Sequence, residues 1–261
     1  MNCYAVFGNP IAHSISPRLH NLAICGLGLD DFYGRVCLQD SSRLTNIFNK
    51  LSLKGANITI PFKEVAFAKC DELDQNAKKI GSVNTIVKKE NKLYGFNTDA
   101  PGFMMAISDF GKVQNALVIG AGGTSKAISY ILQSNGIDVD VVNRSQNRAD
   151  EFKDYNFFSF DEYEPKSYDL VVNTTPAGLI NNELPMQESI LNSVFSNSKF
   201  AFDVIYGRQT PFLNLAKQKN LQVKDGADML LFQAVLAFNL FYDNSFDLDV
   251  IKGYMKEAFA L

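Results

Sequence analysis

The sequence predicts an α/β protein built from two successive series of strands and helices. Over residues 1–100, short apolar runs rich in β-branched and aromatic residues alternate with amphipathic segments. A second alternation of the same kind starts at residue 115. Such alternation is typical of sheets that helices cover on both faces. With 261 residues, the chain is long enough to form two domains of ordinary size.

Apolar periodicity sets the elements of the first series. Strands are predicted at 3–7, 31–37 and 56–60, with helices at 17–26, 42–52 and 63–70. A hairpin is expected next, with strands over 83–88 and 92–96. A helix should then run from about 99 to 111, because Pro101 is tolerated in a first helical turn.

The second series predicts a parallel sheet of the doubly wound type. Strands are expected at 115–119, 138–143, 168–173, 199–205 and 221–224, with helices between most of them. Two further helices should close the chain, at about 227–241 and 246–260. The change from one series to the next predicts a domain boundary near residue 101.

A glycine-rich turn follows the first strand of the second series. Gly120, Ala121, Gly122 and Gly123 lie between an apolar run and a segment with helical spacing. In this arrangement backbone N–H groups and a helix N-terminus can hold a dinucleotide pyrophosphate. The usual pattern is G-x-G-x-x-G/A, and here its third small position falls at Ser125 or later. An ordinary glycine turn is the alternative, but the flanking strand and helix favour a nucleotide site.

The end of the next predicted strand indicates which dinucleotide binds. NAD sites usually offer an Asp or Glu to the ribose there, about 20 residues after the glycines. This chain instead carries polar and basic residues, namely Asn143, Arg144, Ser145 and Arg148. Arginines bind a 2′-phosphate by charge-assisted hydrogen bonds, which a carboxylate would repel. The pattern therefore favours NADP over NAD, although a solvated basic helix start would look similar.

Composition and charge exclude several classes of partner. The formal net charge of −3 gives no basic footprint, so nucleic acid is not expected as a partner. The longest apolar stretch, over 229–241, is too short and too interrupted to span a membrane. The 4 cysteines lack metal-ligand spacing and the chain has only 2 histidines, so we expect reduced thiols, no metal and a cytoplasmic protein.

Polar residues cluster at places in the first series where plain loop or core would be expected. Ser14 and Ser16 precede the first helix, where two hydroxyls beside a helix N-terminus suit a carboxylate. Capping of that helix would by itself explain Ser16, but it does not explain Ser14.

Three further polar segments follow in the same series. Asn57 and Thr59 share one face of a predicted strand, and Lys63 comes after it. Asn84 begins the hairpin, and Asp99 begins the helix that follows it. For the two charged residues the alternatives are a solvated surface lysine and an acid that complements a helix N-terminus.

Together these motifs resemble the shikimate dehydrogenase family, and the resemblance covers nearly the whole chain. The segments that carry it are H-S-I-S-P at 13–17, N-I-T-I-P-F-K at 57–63, G-S-V-N-T at 81–85, G-F-N-T-D at 95–99, G-A-G-G-T-S-K-A at 120–127, N-R-S at 143–145, N-T-T-P-A-G at 173–178, D-V-I-Y at 203–206 and G-A-D-M-L-L-F-Q at 226–233. Each motif is weak alone, but their joint occurrence in the family's order is specific.

The resemblance implies NADPH-dependent, reversible reduction of 3-dehydroshikimate to shikimate. It implies that Lys63 and Asp99 form the catalytic pair. Substrate would also be bound by residues from both series, namely Ser14, Ser16, Asn57, Thr59, Asn84, Tyr206 and Gln233. The cofactor would be bound by the glycine turn and by residues downstream, namely Gly120, Ala121, Gly122, Gly123, Thr124, Asn143, Arg144, Ser145, Arg148, Thr174, Gly226 and Met229.

The resemblance also implies a discontinuous first domain, to which the final helices return. The substrate-binding domain would comprise residues 1–101 and 238–261, and the Rossmann-like NADP-binding domain residues 102–237. A homodimer is a further expectation. The segment between Tyr206 and Thr210 is one residue shorter than the family pattern, which affects the placement of Tyr206.

The sequence is also compatible with two other functions. One is a quinate/shikimate dehydrogenase that uses NAD. The other is a catalytically silent relative that keeps the fold and binds shikimate. The presence of both Lys63 and Asp99 argues against a silent relative, since such a protein need not retain either residue.

Overall fold

The computed structural model describes residues 1–260, which divide into two compact units. One unit comprises Met1–Gly102 together with the described residues from Leu230 onward, and the other comprises Phe103–Met229. The predicted boundary near residue 101 is close to the first division. The second division lies at Met229, whereas the sequence placed it at 237/238, further along the same helix. No helix within residues 1–260 is both long and apolar enough to cross a membrane.

The first unit contains a six-stranded mixed sheet. Its strands are β1 (Cys3–Gly8), β2 (Phe32–Cys37), β3 (Gly55–Ile58), β4 (Glu72–Leu73), β5 (Thr85–Lys89) and β6 (Lys92–Phe96). They lie in the order β2-β1-β3-β5-β6-β4. β1 is parallel to β2 and β3, whereas β5 is antiparallel to β3 and β6. It follows that β1, β3 and β6 run in one direction and end at the same edge of the sheet.

Helices cover both faces of this sheet. They are α1 (Ser16–Gly26), α2 (Leu44–Lys50), α3 (Lys63–Lys69), α4 (Gln75–Ile80), α10 (Leu248–Lys256) and the larger part of α9 (Ala227–Phe241). Helix α5 (Asp99–Ala106) follows β6, and the divisions between the units fall within α5 and α9. Side chains of β1 alternate between two apolar clusters. Tyr4 and Val6 pack with residues of α1, α9 and α10, and Ala5 and Phe7 pack on the opposite face. The predicted return of the final helices to the first unit is therefore confirmed.

The second unit contains a six-stranded sheet in which all strands are parallel. Its strands are β7 (Asn115–Ile119), β8 (Asp138–Asn143), β9 (Asn156–Ser159), β10 (Leu170–Asn173), β11 (Phe200–Asp203) and β12 (Gln222–Lys224). Its helices are α6 (Gly123–Ser134), α7 (Glu188–Phe195) and α8 (Pro211–Gln218). The order β12-β11-β10-β7-β8-β9 places the first strand in the middle. The doubly wound fold is thus confirmed, with its switch point between β7 and β10.

Several predicted boundaries are wrong. β3 ends at Ile58 instead of 60: Thr59 still bonds to β1 through its backbone N–H, but Pro61 has no N–H to continue the ladder. α5 ends at Ala106 instead of 111, and residues 107–110 form turns. The helix predicted at 42–52 begins as a 3₁₀ turn, and its α-helical part is confined to Leu44–Lys50.

Three short elements were not predicted at all. β4 and β9 are too short to show an alternating pattern. α4 has clear signals at both ends, because the Asp74 carboxylate accepts a hydrogen bond from the Ala77 N–H and Gly81 adopts a left-handed φ of 69°. Those capping residues were the sequence signal that would have found this helix.

Candidate active site

A buried ion pair lies beyond the strand ends of the first unit. Lys63 Nζ is 2.6 Å from Asp99 Oδ2, and the two side chains are 12% and 9% exposed. Lys63 is the first residue of α3, which follows β3, and Asp99 is the first residue of α5, which follows β6. Because β3 and β6 end at the same edge of the sheet, residues far apart in sequence can meet there. The predicted pairing of these two side chains is thus observed in the structure.

Asn84 joins the ion pair to the neighbouring strand. Its Nδ2 atom lies 2.9 Å from both Asp99 Oδ1 and Thr98 Oγ1. Its Oδ1 atom accepts the Thr98 N–H at 2.8 Å. Asn84 immediately precedes β5, which starts at the edge where β3 and β6 end. Each oxygen of the Asp99 carboxylate therefore has its own donor, one from Lys63 and one from Asn84.

Gln233 reaches the same group from α9. Its Oε1 atom is 3.4 Å from Asn84 Nδ2, and its Nε2 atom donates to the Leu230 carbonyl at 2.9 Å. A Cβ atom at Gly102 would lie 2.9 Å from the Gln233 backbone nitrogen. Only glycine at position 102 therefore lets α9 approach closely enough for Gln233 to contact Asn84.

Asn57 and Thr59 lie at the end of β3. Asn57 is 5% exposed; its Oδ1 atom accepts the Tyr33 hydroxyl at 2.7 Å, and its Nδ2 atom donates to Thr85 Oγ1 at 3.1 Å. Thr59 is half-buried and bonds to β1 through its backbone. Asn57 and Thr59 were predicted to share one face of a strand, but Thr59 lies just outside β3.

Ser14 and Ser16 are both buried and lie close together. Ser14 is in the loop after β1, and Ser16 is the first residue of α1. Ser14 Oγ donates to Ser16 Oγ at 3.1 Å and accepts the Ser16 N–H at 3.3 Å. The capping explanation for Ser16 is wrong. Ile15 occupies the N-cap position of α1, no side chain caps this helix, and Ser16 is already the first helical residue. Helix capping thus does not account for the Ser16 hydroxyl, whereas the Ser14 hydroxyl accepts the N–H of the first helical residue.

The sequence interpretation missed three side chains that hold this group. Thr98 fixes the amide of Asn84, and Tyr33 bonds to Asn57. Arg35 donates from Nε and Nη2 to the Ser14 carbonyl, at 2.9 and 2.6 Å. Tyr33 and Arg35 are two residues apart in β2, and no local sequence pattern distinguishes them from ordinary strand residues. Thr98 lies within the G-F-N-T-D segment at 95–99, which was the one sequence signal for it.

In the second unit, the glycine turn has the geometry of a phosphate-binding loop. Gly120 has a φ of 109°, and a Cβ atom there would lie 2.6 Å from Thr174 Oγ1. Gly122 is extended and opens onto free space, and α6 begins at Gly123. Ser125 occupies the third small position, where its hydroxyl donates to the Gly120 carbonyl at 2.7 Å. The serine thus closes the turn with a hydrogen bond, and no side chain caps the N-terminus of α6, which is the kind of helix end that binds anions.

The tip of β8 lies beside this turn, since β7 and β8 pair in parallel with Ile119 opposite Val142. Asn143 Nδ2 donates to the Ser145 carbonyl at 3.0 Å. Arg144 is exposed, and Arg148 lies 2.7 Å from Glu151 Oε2, which also pairs with Lys126. Basic residues from two elements thus gather around one carboxylate at this tip.

The two acids of β8 are placed where they cannot serve a ribose at the tip. Asp138 lies at the opposite, amino end of the strand. Asp140 bonds inside the unit to Tyr168, Asn156 and Lys166 at 2.7–2.9 Å. Burial opposes its ionisation, but these hydrogen bonds and the lysine charge outweigh burial and lower the pKa of Asp140 below its usual value.

The remaining candidate residues belong to the second unit. Tyr206 is half-buried and follows β11. A Cβ atom at Gly226 would lie 2.2 Å from the Val204 carbonyl oxygen, so this position requires glycine. Met229 is buried at the start of α9, and Thr174 Oγ1 donates to the Ile119 carbonyl at 2.7 Å. Thr174 and Tyr206 therefore follow the ends of β10 and β11, whereas Gly226 precedes α9 and Met229 lies in its first turn.

The parallel sheet, its switch point and the glycine turn place the second unit among dinucleotide-binding α/β folds. Two family models match the chain. The model described as the shikimate dehydrogenase substrate binding domain matches residues 6–86, and the model described as shikimate / quinate 5-dehydrogenase matches residues 105–205.

Relatives and solved structures agree with the family models. An NADP(+) shikimate dehydrogenase of Helicobacter hepaticus is 48% identical over 91% of this chain and 90% of its own length. The Staphylococcus aureus protein of that name is 35% identical over 95% of this chain and 96% of its length. The crystal structure of a Thermus thermophilus shikimate 5-dehydrogenase in complex with NADP(H) and shikimate has a TM-score of 0.83 and 33% identity, covering 99% and 100% of the two chains. The chain belongs to the shikimate dehydrogenase family.

Proposed function

We propose that this chain catalyses the NADPH-dependent, reversible reduction of 3-dehydroshikimate to shikimate, with Lys63 and Asp99 as its catalytic pair. The enzyme is an NADP-dependent oxidoreductase of the shikimate pathway, which leads to the aromatic amino acids. The observation that carries the catalytic assignment is the 2.6 Å contact between Lys63 and Asp99 among buried hydrogen-bonding side chains.

The chemistry requires a cationic proton donor at the ketone oxygen. When bound, NADPH supplies a hydride to the ketone carbon. Negative charge then develops on the oxygen, and an alkoxide is too basic to persist. The Lys63 ammonium stabilises this charge and transfers one proton to the oxygen, which leaves a secondary alcohol and a neutral lysine. In the reverse direction the neutral amine of Lys63 accepts the hydroxyl proton.

Asp99 acts on Lys63 by charge and position. A buried ammonium without a carboxylate beside it would be strongly destabilised. One Asp99 oxygen holds Lys63, and the other accepts a hydrogen bond from Asn84, so the carboxylate cannot rotate freely. The lysine is therefore held in one place, which reduces the reorganisation needed when the proton moves.

The substrate is a polyhydroxylated ring acid, so hydrogen bonds determine its recognition. The Ser14 and Ser16 hydroxyls are assigned to its carboxylate. The ring oxygens are assigned to side chains around the ion pair and to one from the second unit, namely Asn57, Thr59, Asn84, Gln233 and Tyr206. A buried polar group left unpaired costs about 1–3 kcal/mol, which would penalise acids that lack one of these ring oxygens.

The cofactor is NADP, and the second unit supplies its binding residues. The turn formed by Gly120, Ala121, Gly122, Gly123 and Thr124 is assigned to the pyrophosphate. The tip of β8 is assigned to the 2′-phosphate through Asn143, Arg144, Ser145 and Arg148. Thr174, Gly226 and Met229 are assigned to the remainder of the dinucleotide. The placement of Asp138 and Asp140 supports this preference, since no carboxylate of β8 remains for a ribose diol.

One assay tests the proposed function against its alternatives. Reduced-nicotinamide absorbance is followed with shikimate and NADP⁺, and then with quinate and NAD⁺. We expect kcat/KM to be highest for shikimate with NADP⁺. A preference for quinate and NAD⁺ would indicate the quinate/shikimate alternative. Shikimate binding without turnover would indicate a silent relative.

Two further predictions concern the state of the protein. We propose a homodimer and a cytoplasmic location, although the sequence does not itself report the oligomeric state. Sedimentation velocity at micromolar concentration distinguishes a dimer from a monomer. Fractionation of the source cells, with the enzyme assayed in each fraction, tests the location.

A further inference from the structure

Tyr33 is fixed at its backbone, ring and hydroxyl. It lies in β2 and is 1% exposed. Its backbone N–H and carbonyl both bond to the Asn21 side chain, at 2.9 Å each. Its ring stacks on His20, with 4.1 Å between centroids and 4° between planes. Its hydroxyl donates to Asn57 Oδ1 at 2.7 Å. A tyrosine held this firmly can fix the group that it contacts.

The contact determines which way the Asn57 amide faces. Burial raises the pKa of Tyr33 well above 10, so its phenol remains a donor at every physiological pH. The buried O–H finds its acceptor in Asn57 Oδ1, and rotation of the amide would leave this O–H unpaired and turn the amide oxygen toward the Asn84 carbonyl oxygen. The NH₂ group of Asn57 faces Thr85 Oγ1 at 3.1 Å and the Asn84 carbonyl at 3.4 Å. The longer of these hydrogen bonds is weak, so one Asn57 N–H group can exchange it for a hydrogen bond to a better acceptor.

His20 contributes an apolar surface to this arrangement. Burial lowers its pKa to about 3, and both ring nitrogens are buried without a hydrogen-bond partner. The ring is therefore neutral, and it contacts Tyr33 on one side while Phe238 and Phe241 lie within 6 Å. The imidazole acts here as a flat surface that holds the Tyr33 ring in place.

We propose that Tyr33 is a positioning residue that fixes the Asn57 amide as a hydrogen-bond donor to a ring oxygen of the substrate. The inference rests on the proposed function, in which Asn57 binds substrate. Without the hydroxyl of Tyr33, the Asn57 amide keeps only its weak 3.4 Å contact with the Asn84 carbonyl to distinguish its two orientations. It could then rotate and present its carbonyl oxygen to the substrate.

The first test is Tyr33→Phe, with steady-state kinetics at saturating NADP⁺. We expect KM for shikimate to rise about 5- to 150-fold, the range that corresponds to an unpaired buried acceptor. We expect kcat to change less than about threefold and KM for NADP⁺ to stay unchanged, because the ion pair and the second unit are untouched. The matched control is Tyr163→Phe, a buried tyrosine of the second unit whose hydroxyl contacts Tyr168 at 3.4 Å. It should leave both KM values unchanged.

A double-mutant cycle separates positioning from a general loss of structure. If Tyr33 acts through Asn57, Tyr33→Phe should add nothing to the KM of Asn57→Ala. Fully additive effects, or an equal fall in kcat and kcat/KM, would overturn the inference. An unchanged KM in Tyr33→Phe beside a raised KM in Asn57→Ala would overturn the inference and leave the proposed function standing. An unchanged KM in Asn57→Ala would remove the substrate role of Asn57 and the inference with it.

Substitutions of His20 provide a second route if Tyr33→Phe does not fold. His20→Phe keeps a flat aromatic surface, and we expect it to preserve KM for shikimate. His20→Ala removes that surface and should raise the same KM while kcat stays within about threefold. Equal KM values in the two variants would contradict the proposed role of the stack.

Discussion

The Lys63 ammonium lies 2.6 Å from the Asp99 carboxylate, although 36 positions separate the two residues in the chain. Each residue begins a helix directly beyond the end of a strand, and the two strands run in the same direction. The direction of β3 and β6 in the sheet thus determines the position of the catalytic pair. Several consequences of this arrangement can be measured.

Replacing Lys63 should remove proton transfer and leave binding largely intact. For Lys63→Ala we expect kcat to fall about 10²- to 10⁴-fold with a modest change in KM, since this is the usual contribution of a general acid. Lys69→Ala is the matched control, because Lys69 is an exposed lysine of the same helix. Near-normal turnover by Lys63→Ala would remove Lys63 from the mechanism.

Replacing Asp99 should reveal the cost of a buried charge without its partner. Asp99→Asn leaves the Lys63 ammonium in a site that is 12% exposed. We expect the free energy of unfolding to fall by about 3–5 kcal/mol. Lys63→Met in the Asp99→Asn background should restore part of this stability, because the buried charge is then gone. Denaturant titration of the unmodified protein and the two variants measures their order of stability, and a double variant less stable than Asp99→Asn would contradict this explanation.

Arg35 should affect substrate binding through the Ser14 loop. Its guanidinium donates two hydrogen bonds to the Ser14 carbonyl, which Arg35→Gln cannot reproduce. We expect KM for shikimate to rise about 3- to 10-fold, consistent with about 1 kcal/mol of lost hydrogen bonding. Arg43→Gln, an exposed arginine of the same unit, should have no effect. A fall in kcat with unchanged KM would show that Arg35 acts elsewhere.

Glu151 should weaken binding of the 2′-phosphate. Its Oε2 atom pairs with both Lys126 and Arg148, so the phosphate must compete with this carboxylate. We expect Glu151→Gln to lower KM for NADP⁺ about 2- to 5-fold, because exposed ion pairs contribute free energies of this size. KM for NAD⁺ should stay unchanged. Asp150→Asn removes a neighbouring exposed carboxylate and serves as control. A raised KM for NADP⁺ would show that Glu151 instead holds the cations in place for the phosphate.

Asp203 should make stability depend on pH. Burial raises the pKa of the Asp203 carboxyl from 3.8 to about 6. Hydrogen bonds from Thr210, Ile205 and Asn173 favour the anion and offset only part of this rise. Between pH 4 and 6 the folded state keeps a proton that the unfolded state releases. The free energy of unfolding therefore falls by about 3 kcal/mol as pH rises through this window.

Asp203→Asn should lack this contribution. We expect its stability relative to the unmodified protein to increase by about 3 kcal/mol between pH 4 and pH 7, as measured by denaturant titration. Asp161→Asn, at an exposed position, should show a difference that does not change with pH. A constant difference for Asp203→Asn as well would mean that burial does not govern this carboxyl.

The sequence determined the alternation of strands and helices, the family and the cofactor, because each depends on local patterns. Apolar periodicity identifies a strand or helix within a few residues, and the G-A-G-G turn is a contiguous segment whose backbone requires glycine at Gly120. Local patterns also gave the errors. Helix α5 ends at Ala106 although its apolar spacing continues, and α4 was missed although Asp74 and Gly81 cap it.

Only the tertiary structure decided which polar side chains meet and how each is oriented. Tyr33, Arg35 and Thr98 hold the candidate substrate residues, yet no local spacing distinguishes them from ordinary strand and loop residues. Their contacts depend on strand order, direction and register, which long-range packing sets. Likewise, the sequence shows only that Asp140 is an acid in a strand of the nucleotide-binding fold. The structure shows that its carboxylate is hydrogen-bonded to Tyr168 and Asn156 inside the unit and is not available to a ribose. A sequence records which groups are present, whereas hydrogen bonds across the fold determine which of them are available for chemistry.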